Sequence, residues 1–134
     1  MAKLIEIEGI GPAYAEKLAE QGLKTTEDLL EACAGKKGRA DLAEKTGISE
    51  ARILRWTNMC DLFRVKGVGE QYSDLLEKAG VDTVKELRNR VPANLHKKME
   101  DVNAEHNLVN KLPSLSAVEG WVEFAKGLEP KMTY

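Results

Sequence analysis

Apolar residues recur along this chain at intervals of three and four, in short runs separated by glycine, threonine and serine. In "GIGPAYAEKLAEQGL", Gly11 is placed to cap a helix with Pro12 at its first position, and Tyr14, Ala15, Leu18 and Ala19 fall on one face. Gly22 stands where a helix stop belongs, able to adopt the left-handed conformation. Thr25 with Asp28 forms a capping-box pattern that restarts a helix burying Leu29, Leu30 and Cys33. A longer helix is expected from about Glu50 to Phe63, with Ile53, Trp56, Cys60 and Phe63 inward. Near the end, Ser116 and Glu119 suggest a second capping box, opening a helix that buries Val118, Trp121, Val122, Ala125 and Leu128. Period-two alternation is too brief for a strand, and only "KLIEI" and the terminal "KMTY" are extended candidates. The pattern predicts an all-α fold.

The pattern also repeats. Residues 7 to 32 align without gaps on residues 65 to 90 at a shift of 58, with Gly9/Gly67, Gly11/Gly69, Tyr14/Tyr72, Leu18/Leu76, Gly22/Gly80, Thr25/Thr83 and Leu29/Leu87 identical. This predicts a duplicated helical bundle, two pseudo-repeats over 1–62 and 63–134 sharing a compact core.

Composition narrows the function classes. The chain has 134 residues, 43% hydrophobic and 31% charged, which suits a globular protein of one domain or two small ones. Its two cysteines, Cys33 and Cys60, have no zinc or disulfide-framework spacing and are expected to be buried apolar residues. No run approaches the ~20 apolar residues of a membrane helix, and "MAKLIEIEG" has no signal-peptide core, so a cytoplasmic protein without a membrane is expected. His96 and His106 have no partner at ligand spacing, and no phosphate-binding loop, dinucleotide fingerprint or nucleophile elbow occurs. No metal, cofactor or catalytic residue is expected.

Net charge is -2, yet residues 35 to 66 carry eight basic residues against four acids, while residues 1 to 34 carry three against seven. Any contact with a polyanion is therefore expected to draw on the middle of the chain.

A Gly-x-Gly turn ahead of a helix aims backbone N–H groups outward where the helix dipole favours an anion. "GIG" and "GVG" resemble the hairpins of the helix-hairpin-helix motif, which implies sequence-independent contact with nucleic-acid phosphates through turn amides and nearby cations. The residues so implicated are Gly9, Ile10 and Gly11 in the first turn, and Lys66, Gly67, Val68 and Gly69 in the second. Glu8 and Pro12 dress the first turn poorly, one as a carboxylate and the other as a missing donor; Lys66 makes the second the better candidate despite Glu70. The competing interpretation is that the glycines let helices cross closely while Ile10 and Val68 plug the core. Nearly the whole chain also resembles a bacterial family of small proteins with two helix-hairpin-helix-like repeats and unassigned function, through "IEGIGPAYAEKL", "TGISE", "PANLH", "LPSLS" and the final "TY".

In the basic quarter, Ala43, Gly47 and Ile53 stand at helix-turn-helix offsets, with Ile48 in the turn and Ser49 placed as a cap. That resemblance implies a second helix offering Glu50, Arg52 and Arg55 to a groove, with Lys36, Lys37 and Arg39 near phosphates. The corresponding part of the second half, "LHKKMEDVNAEHNLVNKL", has lost the glycine turn. The expected function is a non-catalytic module binding double-stranded DNA or another nucleic acid weakly and without sequence preference. The alternative is a protein-protein adaptor or self-associating scaffold.

Overall fold

The structure, a computed structural model, describes residues 2–133. Among these it is all-α: eight helices, α1 (Pro12–Glu20), α2 (Thr26–Cys33), α3 (Lys36–Thr46), α4 (Glu50–Leu62), α5 (Glu70–Lys78), α6 (Val84–Arg88), α7 (Pro92–His106) and α8 (Leu115–Lys126). The chain divides into two compact units. One holds the described residues through Asp61 together with those from Lys131 onward, and the other is Leu62–Pro130.

In the first unit "KLIEI" is not a strand. Leu4–Glu6 is a single 3-10 turn, and extended pairing is limited to one antiparallel bridge between Lys3 and Thr25. The Glu6 carboxylate accepts the Lys3 backbone N–H at 2.7 Å, which closes the segment into a turn. Pro12 follows Gly11 at the start of α1, as its missing N–H and fixed φ favour. At the other end, Gly22 has φ 80°, its N–H reaches Ala19 O at 2.9 Å, and the Leu23 N–H reaches Leu18 O at 3.0 Å. These are the two bonds of a Schellman ending. The Thr25 hydroxyl then accepts the Asp28 N–H while the Asp28 carboxylate accepts the Thr25 N–H, so the capping box that opens α2 is present.

The second unit repeats these local conformations. Gly80 has φ 94°, with bonds from Gly80 N to Glu77 O and from Val81 N to Leu76 O, and the Thr83 hydroxyl caps α6. Within it α8 packs on α6 and α7, and α5 on α7. Leu75, Leu76, Leu87, Leu95, Met99, Val118 and Ala125 are fully buried there. In the first unit the core is built on Leu18, Leu29, Cys33, Ile53, Trp56 and Cys60.

Three expectations shift. The cap of α8 is Ser114, accepting the Ala117 N–H at 3.0 Å, rather than Ser116. Either serine has the right side chain, but the backbone is still extended at Ser114 and is helical from Leu115 onward, so only Ser114 stands at the cap position. α4 ends at Leu62, so Phe63 lies past the helix, half-buried, and Met59 and Leu62 fill the inward positions. The glycine turn absent from the second half is replaced: Asn107 ends α7 at φ 50°, as Gly47 ends α3 at φ 75°. Asparagine is among the few L-residues that tolerate this region, and the neighbouring Asn103 side chain ties both N–H and C=O of Val109.

Candidate nucleic-acid interface

The two Gly-x-Gly turns are built alike. The Ile10 N–H reaches Ile7 O at 3.1 Å and the Val68 N–H reaches Val65 O at 3.1 Å, with Gly9 and Gly67 both at φ 94°. Ile10 and Val68 are buried plugs. A tryptophan lies against each turn: a Cβ on Gly9 would fall 3.2 Å from Trp56 Nε1, and one on Gly67 would fall 3.0 Å from Trp121 Nε1. The first glycine of each pair is thus fixed by its own chain, through both backbone conformation and ring contact. The second is not. Gly11 and Gly69 have negative φ, cap α1 and α5, and have open space where a Cβ would point.

Each tryptophan is held by the tyrosine of its own turn, with ring centroids 5.0 Å apart for Tyr14–Trp56 and 5.3 Å apart for Tyr72–Trp121. The sequence alignment did not pair these tryptophans. They are 65 positions apart (121 against 56) while the aligned repeats are 58 apart, and five of the seven extra positions lie in the connection from α7 to α8, eight residues long against three from α3 to α4.

The basic candidates separate into four groups. α4 carries Arg52 and Arg55 to the first turn: Arg52 Nη1 donates to the Tyr14 hydroxyl at 2.5 Å with its guanidinium 5.5 Å from the ring centroid, and Arg55 Nη1 donates to Glu8 O at 3.4 Å. At the positions related by 65, the second unit has Ala117 and Gly120. Lys66 is exposed beside the second turn, and Glu70 opens the helix there. The turn that sequence reasoning ranked second therefore has the stronger cationic setting, a feature invisible without knowing which face of α4 meets it.

Arg39 is largely withdrawn from the candidate surface. It is 4% exposed, and its guanidinium donates to Cys33 O, Ala34 O and Thr133 O at 2.8–3.0 Å. Two of these carbonyls are at the C-terminal end of α2, where orphan acceptors and the negative end of the dipole attract a cation. Lys36 and Lys37 are exposed at the start of α3, and Lys36 lines a hollow of about 310 Å³ with Arg39, Glu50, Ala51 and Leu54. Thr133 also donates its N–H to Ala34 O at 2.9 Å; the terminal Tyr134 lies outside the described residues.

The helix-turn-helix spacing does produce the turn: Gly47 N bonds Ala43 O, Ile48 is buried, and the Ser49 hydroxyl accepts the Arg52 N–H. Arg52 and Arg55, however, are engaged with the first Gly-x-Gly segment. Elsewhere, His96 Nδ1 is 3.0 Å from the Glu100 carboxylate and Nε2 2.9 Å from Pro113 O, so the ring ties α7 to the following loop. Among the described residues no cluster of His, Cys, Asp and Glu is arranged to hold a metal, and no helix is long and apolar enough to cross a membrane. Cys33 and Cys60 are buried free thiols. Burial pushes the Cys33 thiol up to about 11, against a smaller opposing effect of Arg39, and pushes Cys60 higher still.

No curated protein and no solved structure gives a significant match to the chain. The family model described as a domain of unknown function, DUF4332, matches residues 8–128. With that match spanning most of its length, the chain belongs to the DUF4332 family.

Proposed function

We propose that this chain is a non-catalytic module that contacts the phosphate backbone of double-stranded nucleic acid, weakly and without sequence preference, through the Gly9, Ile10, Gly11 turn. The observation that carries this reading is the placement of Arg52 and Arg55 on α4 beside that turn. Gly11 opens α1 with unobstructed space above its Cα, and the first-turn N–H groups of a helix lack intrahelical acceptors. Two guanidiniums outweigh the single Glu8 carboxylate, whereas at the second turn Lys66 is offset by Glu70. The matching turns, Schellman endings and Tyr–Trp pairs support descent from a duplicated helix-hairpin-helix-like unit. On this reading one copy kept its cations and the other became mainly structural.

Fluorescence polarisation with a labelled duplex of ~20 base pairs in about 50 mM salt tests the proposal. Binding in the range of about 10⁻⁴–10⁻⁶ M is expected, weakening as salt rises. Arg52→Glu with Arg55→Glu should reduce affinity at least about tenfold, while Lys66→Glu should change it less than about threefold. No binding at low salt, or a double variant that binds like the parent, would overturn the proposal.

A second reading, protein-protein association, is favoured by one surface: an apolar groove of about 430 Å³ beside the Leu4–Glu6 turn.

A further inference from the structure

The groove of the first unit is lined by Ile5, Ala15, Ala19 and Leu23, and the two charged side chains that line it are both lysines, Lys3 and Lys24. Ile5 is 48% exposed and, with these small and aliphatic neighbours, gives the groove an apolar floor. A surface of complementary character occurs on α8. Phe124 is 44% exposed, and Gly120 lies one turn before it on the outward side. Glu119 and Glu123, also one turn apart and exposed, edge the same face.

Gly120 is the informative residue. It sits inside α8, where glycine is the poorest helix former after proline, yet a Cβ there would meet nothing within 4 Å. The chain's own packing gives no reason for it. A bare position beside a projecting phenylalanine instead lets a second surface approach the α8 backbone closely. The acidic edge adds charge complementarity to Lys3 and Lys24. Glu123 is paired with Lys126 at 3.5 Å, an exposed contact that a better-placed lysine can replace at little cost.

We propose that the occupant of the groove is α8 of a second copy of this chain, with Phe124 seated among Ile5, Ala15, Ala19 and Leu23, and with Glu119 and Glu123 facing Lys3 and Lys24. Donor and acceptor surfaces are different patches, so the contact is heterologous: it either closes into a ring or continues as a chain. The proposal is independent of nucleic-acid binding.

Sedimentation velocity of the full chain from about 10 µM to about 1 mM, with nucleic acid removed, tests it. The expected result is concentration-dependent self-association that Phe124→Ser reduces at least about tenfold. Lys3→Glu with Lys24→Glu should do the same, as should Glu119→Lys with Glu123→Lys. Mixing the two charge-reversed proteins should restore association between them. Gly120→Ala should raise the melting temperature by a few degrees while weakening association, which separates loss of docking from loss of folding. A monomer at every concentration, or association indifferent to Phe124→Ser and both charge reversals, would overturn the proposal. Failure of the charge-reversed pair to associate when mixed would also overturn it.

Discussion

Gly67 and Trp121 approach so closely that a methyl group on the glycine would fall 3.0 Å from the indole Nε1. Gly9 and Trp56 repeat the relationship at 3.2 Å. The glycines therefore have distinct roles within each Gly-x-Gly turn. The first is demanded by backbone conformation and by the ring beside it, whereas the second is optional for the fold and open to the outside.

Substitution should separate these roles. Gly67→Ala meets a positive φ and the tryptophan together, and a loss of about 1–3 kcal/mol in urea unfolding is expected. Gly69→Ala, at φ -114° with open space, should stay within about 1 kcal/mol of the parent, since lost capping is offset by lower unfolded-state entropy. Equal losses at the two positions would contradict the assignment.

Arg39 is expected to behave as a core residue. Its removal takes the guanidinium donors from Cys33 O and Thr133 O and leaves Ala34 O with Thr133 alone, so Arg39→Ala should cost about 2–4 kcal/mol while Lys37→Ala, on the exposed start of α3, stays within about 0.5 kcal/mol. Deleting residues 131–134 removes one of the three acceptors and the buried Met132, and should destabilise the first unit in the same direction. Thermal melts of the three variants check this ordering.

The Asp28 carboxylate is held below its ordinary range first by the Lys24 backbone N–H, then by the Thr25 backbone N–H, with smaller help from the Thr25 hydroxyl and the Lys24 charge. The stability it confers is present above the unfolded carboxylate value and is lost as pH falls through the lower folded value. Asp28→Asn should therefore narrow the gap to the parent as pH is lowered toward 2, measured by denaturation at several pH values. A gap that widens on acidification would contradict the capping assignment.

At the alkaline end, the buried thiols set the sign. Cys33 rises from 9.0 to about 11, so the unfolded chain releases its proton first, and stability should fall as pH rises from about 9 to about 11. In the native state at pH 8 both thiols should resist a disulfide reagent, reacting only at the rate of unfolding; rapid labelling of either cysteine would refute their burial.

Much of the fold was legible because its signals are local. Glycine stops at Gly22 and Gly80, the Thr25 cap and the three-and-four spacing of Ile53, Trp56 and Cys60 each act over a turn or two. What escaped depended on distant packing or on degenerate chemistry. The Ser116–Glu119 spacing pointed to the wrong serine, since Ser114 carries the same side chain two residues earlier, and Asn107 did a glycine's work without being one. Arg39 looked like any surface cation until the C-terminal residues supplied a carbonyl from 94 positions away. Candidate site residues were harder still. What Arg52 and Arg55 contact depends on which turn α4 meets, and a run of basic residues does not encode that. The matched tryptophans were hidden by a seven-residue difference in spacing between the aligned repeats and the indoles (65 against 58).

The most direct test of the central claim is amide and arginine side-chain NMR during titration with a short DNA duplex. The account predicts that the first and largest shifts fall on Gly9 to Tyr14 and on the guanidiniums of Arg52 and Arg55, fading as salt is raised. A spectrum unchanged at low salt, or shifts gathered at Lys66 to Gly69 with the first turn silent, would contradict it.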